Sequence, residues 1–259
     1  MPDVKVDTYG GGKFNVYEGG KGPVLMLLHS MAASAWSWSR SIPNLEEHFS
    51  ICAPDLLGHG KSEAKRDVVS VEHHAASLEG LCKVLGLTQP FYLAGAALGA
   101  ITALELAVRK PKLIKGLLLL GTPAFPTPEA RSEWLANRIS TWVQPDGLAA
   151  PLGEATIKAR YAVHTPDLVE RVNQERAQAG MWASHDIWAI GTYDAPARAA
   201  QLNVPVTVCY GEKDPFLGGR PAMQKALPSA NHVLLEGVGH YPAWDVPEKV
   251  TELALGLKG

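Results

Sequence analysis

Short runs of apolar residues along the chain alternate with segments in which apolar residues recur at helical spacing. The run at 24–28 is apolar on both faces, which is typical of a central strand covered by helices on either side. The segment 71–85 instead places Val71, Leu78 and Leu85 on one helical stripe. Strands are predicted at 24–28, 49–53, 91–94, 114–120, 204–210 and 232–235, and helices at 71–85, 100–109, 221–227 and 247–257. This alternation predicts an α/β fold, with a mostly parallel central sheet flanked by helices.

The segment 124–200 breaks this alternation. It contains helical, charged and tryptophan-bearing stretches but no convincing buried strand, so it is predicted to be a helical cap inserted between two halves of the sheet. The predicted domains are a first core part at 1–123, the cap at 124–200 and a second core part at 201–259. At the start of the chain, alternation at 4–8 and 14–18 predicts a hairpin.

Charge and composition narrow the classes of partner. The chain has 24 Lys and Arg against 26 Asp and Glu, a net charge of −2, which offers no footprint for nucleic acid or an anionic membrane. It lacks a signal-like apolar segment and any apolar run of 18 residues, so a soluble cytoplasmic protein is expected. We expect a small-molecule substrate, no cofactor, no metal and, among protein partners, at most a second copy of the chain as a homodimer.

The cysteines add little chemistry. Cys52, Cys82 and Cys209 are widely spaced and form no CxxC pair, so neither a disulfide framework nor a zinc site is indicated. Each lies in an apolar stretch of sequence. They are predicted to be unreactive thiols of the core.

The central motif is Gly95-Ala96-Ala97-Leu98-Gly99, which lies between an apolar strand and a helical run. A strand that enters Gly-x-x-x-Gly and at once becomes a helix is the sequence form of a nucleophile elbow. The two glycines allow the chain to reverse closely and to raise the middle residue into a pocket. That middle residue is Ala97, where the G-x-S-x-G pattern has serine. The sequence therefore predicts the support of a nucleophile without the nucleophile.

Several separate motifs appear in the order found in one family, and the likeness covers nearly the whole chain. They are His29-Ser30-Met31, the turn 55–62 with the pattern D-x-x-G-x-G-x-S, the elbow 95–99, Gly211-Glu212-Lys213-Asp214 and Gly237-Val238-Gly239-His240. With these motifs the chain resembles the α/β-hydrolase family, which implies the α/β-hydrolase fold. The cap, through Glu133-Trp134, Arg138-Ile139 and 165–172, weakly resembles that of 3-oxoadipate enol-lactonases.

The resemblance implies a role for each motif. The order nucleophile, acid, histidine falls on Ala97, Asp214 and His240. An imidazole takes the proton of a serine hydroxyl at neutral pH, and a carboxylate at its far nitrogen fixes its tautomer, so His240 would be the base and Asp214 its support. The oxyanion hole falls on the backbone N–H groups of Met31 and Leu98. The implied activity is hydrolysis of a carboxylic ester or lactone.

Three accounts of Ala97 remain open. In the first account, the chain is a variant whose parent has serine at this position, and the variant binds substrate without turnover. Alternatively, the alanine is natural, as in aminoacrylate-hydrolase-like relatives with a G-x-A-L-G elbow, and His240 activates water directly, or the cleft does cofactor-free lyase or oxygenase chemistry. Thirdly, the protein is a ligand-binding pseudoenzyme or receptor.

Candidate binding residues are mostly aromatic, because seven tryptophans are a high load for 259 residues. They favour an apolar, aromatic or cyclic substrate. Ser30 replaces the glycine that the family usually has before the first oxyanion donor. Arg131, Arg138 and His185 are candidate partners for a substrate carboxylate, whereas His59, between two glycines, is expected to be structural. The predicted substrate-binding set is Ser30, Trp36, Trp134, Trp182, Trp188, His185 and Arg138.

Overall fold

The computed structural model describes residues 12–64 and 70–258. Within them, seven strands form one sheet in the order β1-β3-β2-β4-β5-β6-β7. All neighbouring strands are parallel except β1, which pairs antiparallel with β3 at the sheet edge. The strands are β1 Val16–Gly20, β2 Val24–Leu28, β3 Ser50–Pro54, β4 Phe91–Ala96, β5 Ile114–Leu120, β6 Val206–Gly211 and β7 Asn231–Leu235. The predicted mostly parallel α/β sheet is confirmed.

Helices connect the strands and cover both faces of the sheet. They are α1 Ile42–Glu46, α2 Val71–Val84, α3 Leu98–Arg109, α4 Pro128–Trp142, α5 Glu154–Lys158, α6 Leu168–Ala179, α7 Met181–Thr192, α8 Ala195–Ala199, α9 Arg220–Ala226, α10 Pro242–Asp245 and α11 Pro247–Leu255. A short 3₁₀ helix covers Ala35–Trp38 and another covers Leu217–Gly219. None of the helices among the described residues is both long and apolar enough to cross a membrane.

The sheet divides the core in two, because successive side chains of a strand point to opposite faces. In β2, Met26 and Leu28 belong to the cluster under α2 and α3, whereas Leu25 and Leu27 belong to the cluster under α1 and α11. All four side chains have no exposed surface. The apolar run of β2 therefore reflects burial on both faces, as its sequence predicted.

The N-terminal strand β1 overlaps the second strand of the predicted hairpin, 14–18. The strand is Val16–Gly20, and its partner within the described residues is β3, with Val16 opposite Pro54. The proposed partner strand, 4–8, lies outside the described residues. Pairing with a strand distant in sequence leaves no local turn signal, which is why the sequence did not indicate it.

Helices α4 to α7 lie between β5 and β6, where the sequence predicted a cap. Asp186 of α7 connects this region to the core, since its carboxylate lies 2.8 Å from His59 Nε2 and 3.0 Å from His74 Nε2. His59 also approaches the Leu57 carbonyl through Nδ1, at 3.2 Å. The structure thus gives His59 the structural contact that was expected of it.

Candidate active site

Ala97 is held on a sharp turn between β4 and α3. Its backbone has φ 50° and ψ −112°, and its N–H donates to the Leu120 carbonyl at 2.9 Å. The flanking glycines are required by close approach: a Cβ at Gly99 would lie 2.3 Å from the Leu28 carbonyl oxygen, and one at Gly95 would lie 2.2 Å from that of Gly99. A non-glycine residue with positive φ is strained, so this geometry is an elbow that presents residue 97.

Asp214 and His240 follow β6 and β7, and the parallel sheet brings these loops to one edge. His240 Nδ1 lies 3.1 Å from Asp214 Oδ2, and both side chains are buried. The other carboxylate oxygen of Asp214 accepts the N–H of Phe216 at 2.8 Å, which fixes its orientation. The backbone N–H of His240 donates to the Arg160 carbonyl at 2.7 Å. His240 is therefore held through both its imidazole ring and its backbone.

Gly121, at the end of β5, lies against this pair. Its φ is +56°, and a Cβ there would lie 2.7 Å from Asp214 Oδ2 and 3.1 Å from His240 Nδ1. Only a residue without a side chain fits both the left-handed backbone and the space. This contact was not predicted from the sequence.

One cleft contains both Ala97 and His240. Its wall is aromatic and aliphatic, with two arginines and the polar Ser30. The lining residues are Ser30, Met31, Ala97, Trp134, Arg138, Trp142, Arg160, Ile190, Pro215, Phe216, His240 and Tyr241. A small organic molecule in this cleft would meet the base and the residue on the elbow together.

The loop after β2 supplies Met31, the first predicted oxyanion donor. Among the described residues, the Met31 N–H donates to no acceptor. The positive φ of this loop lies at Ala32, with φ 53°, and Ser30 has no positive φ, so the serine that replaces the family's glycine needs no left-handed backbone. The amide of Leu98 is the first of α3, where no earlier helical carbonyl can accept it. Both predicted N–H groups are therefore free to bind an oxyanion.

His29 fixes the backbone of the same loop. Its Nε2 accepts the N–H of Leu56 at 2.8 Å, so Nδ1 carries the proton and donates to the Ser30 carbonyl at 2.7 Å. Burial, reinforced by the nearby His59, lowers the pKa of His29 from 6.5 to about 4. The imidazole is neutral at physiological pH, as its two hydrogen bonds require.

The other predicted binding residues divide into two groups. Ser30, Trp134 and Arg138 line the cleft, and Trp36 lines an adjoining cleft that shares Ser30 and Met31. The structure places the α7 residues away from both clefts: Trp182 packs against Gly58, His185 lies edge-on to Trp182 at 5.2 Å, and Trp188 is 51% exposed. The three are spaced three residues apart, so they share one side of the helix, and Ile190 is the α7 residue in the cleft.

Sequence reasoning missed Trp142, Arg160, Phe216 and Tyr241 in the cleft wall. Tyr241 follows His240 directly, so adjacency to the predicted base was a usable signal. Arg160 follows a helix of five residues and belongs to no motif. Arg131, in contrast, pairs with Asp194 at 3.2 Å and lies outside the cleft. Which residues of α4 to α7 face the cleft depends on how these helices pack, and sequence spacing does not reveal it.

Comparison with known proteins places this geometry in a wider group. A family model for the alpha/beta hydrolase fold matches residues 23–247. The chain is 26% identical over 252 residues to the pimeloyl-[acyl-carrier protein] methyl ester esterase of Nitrosomonas europaea, covering 89% of this chain and 93% of that protein. It is 24% identical over 241 residues to the putative carbamate hydrolase RutD of Pseudomonas savastanoi pv. phaseolicola, covering 84% of this chain and 86% of that one.

Among solved structures, the enol-lactonase from Burkholderia xenovorans LB400 is similar with a TM-score of 0.78. The match covers 98% of this chain and 99% of that chain, at 18% sequence identity. At this identity the likeness concerns the fold. Within the described residues, no group of three or more His, Cys, Asp or Glu is arranged to hold a metal ion.

Proposed function

The chain belongs to the alpha/beta hydrolase fold family, and on that premise we propose that its cleft is that of a hydrolase of ester or lactone bonds whose Ser-His-Asp mechanism is interrupted at Ala97. One observation carries the proposal. Ala97 keeps the strained φ of 50° in the cleft that holds His240 backed by Asp214. A methyl group gains nothing from such a backbone, whereas the hydroxyl of a nucleophile is presented by it.

A serine at position 97 would complete an acyl-transfer site. His240 Nε2 would take the hydroxyl proton as the oxygen attacks the substrate carbonyl, and the N–H groups of Met31 and Leu98 would bind the resulting oxyanion. Collapse of this intermediate expels the alcohol, which receives the proton from His240. Water then hydrolyses the acyl-enzyme by the same proton route. Asp214 keeps the imidazole in the tautomer that this route needs.

The related proteins support cleavage of a carbonyl–heteroatom bond. One is named as a methyl ester esterase and another as a putative carbamate hydrolase. Ester and carbamate hydrolysis share a tetrahedral, negatively charged intermediate, which the same oxyanion site would stabilise. The aromatic cleft wall favours a small apolar, aromatic or cyclic acyl group. A cytoplasmic location remains part of this proposal.

A second candidate keeps alanine as the working residue. In it, His240 removes a proton from water, the hydroxide attacks the carbonyl, and the leaving group receives the proton. The contact of 3.1 Å between His240 and Asp214 supports this candidate as it supports the first, because a base needs that partner whether it activates serine or water. The small methyl of Ala97 leaves space above the elbow where a water would stand.

The decisive experiment is Ala97→Ser, assayed with p-nitrophenyl acetate and a fluorophosphonate probe. We expect a burst of nitrophenol and, by mass spectrometry, one covalent adduct on Ser at 97. Turnover should exceed that of the unchanged chain by about 10⁴-fold or more, since loss of a triad member costs about 10⁴ to 10⁶ in kcat. The double variant Ala97→Ser with His240→Gln is the matched control and should lose both. Absence of label and turnover in the serine variant would refute the acyl-enzyme proposal.

The second candidate is tested on the unchanged chain. Its hydrolysis of p-nitrophenyl acetate and a p-nitrophenyl carbamate should be lost in His240→Gln, because no other base would then activate the water. Activity of the unchanged chain that His240→Gln does not reduce would rule this candidate out. If neither chain turns over any ester, lactone or carbamate but the cleft binds them, the ligand-binding account stands in its place.

A further inference from the structure

Two arginine side chains reach the cleft above Ala97 without a counter-charge. Arg138 of α4 and Arg160, which follows α5, both line this cleft. In the described part of the chain, neither guanidinium forms an ion pair with a carboxylate, while Arg131 and Arg171 both do. The one acceptor recorded for Arg138 is the neutral side chain of Asn137, at 3.4 Å, and its Nε is buried without a partner.

The indole ring of Trp142 lies within cation–π distance of three arginines. Its ring lies 4.5 Å from the guanidinium carbon of Arg138, 4.5 Å from that of Arg160 and 4.9 Å from that of Arg176. Arg176 donates through Nε to the Ala150 carbonyl at 2.6 Å and through Nη2 to the Trp142 carbonyl at 3.4 Å, and it lines the adjoining cleft instead of this one. A ring face attracts a cation, but it accepts none of the planar N–H groups of a guanidinium. Arg138 and Arg160 therefore keep their donors available.

Arg138 and Arg160 lie close enough for the charge of Arg160 to disfavour that of Arg138. Burial and the neighbouring Arg160 lower the pKa of Arg138, so its charged form is less favoured than in water. Glu175 lines the adjoining cleft, which Arg160 also borders, but its carboxylate pairs with Arg171. Among residues 12–64 and 70–258, no carboxylate forms an ion pair with either guanidinium, and an external anion would relieve their repulsion.

We propose that Arg138 and Arg160 together bind a carboxylate of the substrate that is separate from the bond to be cleaved. The cleft then selects esters or lactones whose acyl part carries an acid group; the identity of the cleaved bond rests on the proposed function. Guanidinium groups match the two oxygens of a carboxylate with parallel N–H groups. The aromatic wall of Trp134 and Phe216 covers the apolar link between the acid and the scissile carbonyl.

This subsite is connected to the base through one residue. The Arg160 carbonyl accepts the His240 N–H at 2.7 Å, while the Arg160 side chain lies in the cleft. A substrate acid held by this guanidinium is thus placed at a fixed distance from the imidazole. The subsite orients the substrate as well as attracting it.

Binding to the unchanged chain tests the subsite without any catalysis. Isothermal titration calorimetry compares monomethyl terephthalate with methyl 4-methylbenzoate, and monomethyl adipate with methyl hexanoate, each pair differing by the acid. At least one acid ester should bind about tenfold or more tightly than its neutral partner, and Arg138→Met or Arg160→Met should remove that preference. Arg131→Met, which removes a cation from the same helix as Arg138 but outside the cleft, should leave it unchanged.

Two results would overturn the subsite: no preference for either acid ester, or a preference that survives either one of the substitutions Arg138→Met and Arg160→Met. Kinetics of Ala97→Ser separate this failure from that of the proposed function. If the serine variant hydrolyses acid and neutral esters with equal kcat/KM, the hydrolase stands and the subsite falls. If acid esters bind selectively through both arginines but the serine variant cleaves none of them, the subsite stands and the ester hydrolase falls.

Discussion

The carboxylate of Asp186 lies between two imidazoles of the core, 2.8 Å from His59 and 3.0 Å from His74. All three side chains are almost completely buried. Burial opposes the charge on His59, but the Asp186 carboxylate outweighs it and raises the pKa of His59. Burial likewise favours neutral Asp186, and the two histidines outweigh it and hold its pKa well below the usual range. The cluster therefore joins α7 to the core through a buried ion pair.

Asp186→Asn should strongly destabilise the protein. Loss of the negative charge leaves His59 buried without its partner, and breaking a buried pair in this way costs about 3–5 kcal/mol. Urea unfolding at pH 7 measures the change in free energy of unfolding. Asp194→Asn is the control, because Asp194 is half exposed and forms a surface ion pair with Arg131. Equal, small effects of the two substitutions would show that the buried cluster does not stabilise the fold.

His29 makes stability fall in acid. Its pKa is 6.5 when unfolded and about 4 in the folded protein, so between these values the unfolded state binds the extra proton. Its contribution is thus complete above pH 6.5 and is lost as the pH falls toward 4. From pH 7 to pH 4, the free energy of unfolding of the unchanged protein should drop by about 3 kcal/mol more than that of His29→Gln.

The control for His29 is His73→Gln, since His73 is exposed on α2. Urea unfolding at pH 4, 5.5 and 7 gives the free energy of unfolding of the unchanged protein and of both variants at each pH. His73→Gln should follow the unchanged protein at each pH. If the stability of His29→Gln changes with pH as that of the unchanged protein does, the imidazole of His29 is not a neutral, buried group beside the loop after β2.

Gly121→Ala should displace the side chain of Asp214 or of His240. The added methyl would lie 2.7 Å from Asp214 Oδ2, so the carboxylate or the imidazole must shift. In the Ala97→Ser background we expect kcat to fall by about 10²-fold, because misplacement by about 1 Å costs this much. Gly86→Ala is matched in backbone, with φ +65°, but meets nothing within 4 Å. If both variants lose the same activity, backbone strain rather than contact with the pair is responsible.

The thiols should be inert in the folded state. Burial raises the pKa of Cys52, Cys82 and Cys209 to about 12 each, so almost no thiolate exists at neutral pH. A colorimetric disulfide reagent at pH 8 should titrate none of them in native protein and all three in guanidinium chloride. Rapid reaction of one thiol in native protein would show that its strand or helix opens locally.

The sequence predicted best those parts that depend on local pattern. The runs at 24–28 and 114–120 coincide with β2 and β5, because strands buried on both faces are mostly apolar; Lys115 is the exposed exception in β5. The helix after the elbow begins at Leu98, two residues before the prediction, since the strained turn occupies one residue and the helix starts directly after it. Strand pairing of β1 was not predictable, because nothing local indicates a distant partner.

Within the candidate site, chain order was informative and helix spacing was not. Ala97 and His240 line one cleft, and Asp214 contacts His240, because the carboxyl ends of parallel strands meet at one edge of the sheet. Which residues of α4 to α7 face the cleft depends on how each helix is rotated about its axis. Arg138 faces the cleft, whereas Trp188 faces solvent. A short helix such as α5 carries too little periodicity to indicate that Arg160, just beyond it, would reach the same place.

The hydrogen bond from the His240 N–H to the Arg160 carbonyl has a practical consequence for protein engineering. An engineer who wants to change what the cleft binds could replace the segment around Arg160 with that of another protein. The replacement would also remove the carbonyl that anchors the backbone of His240. Binding preference and proton transfer cannot then be altered as independent modules. A successful graft must return a backbone acceptor to that point before its new cleft can work.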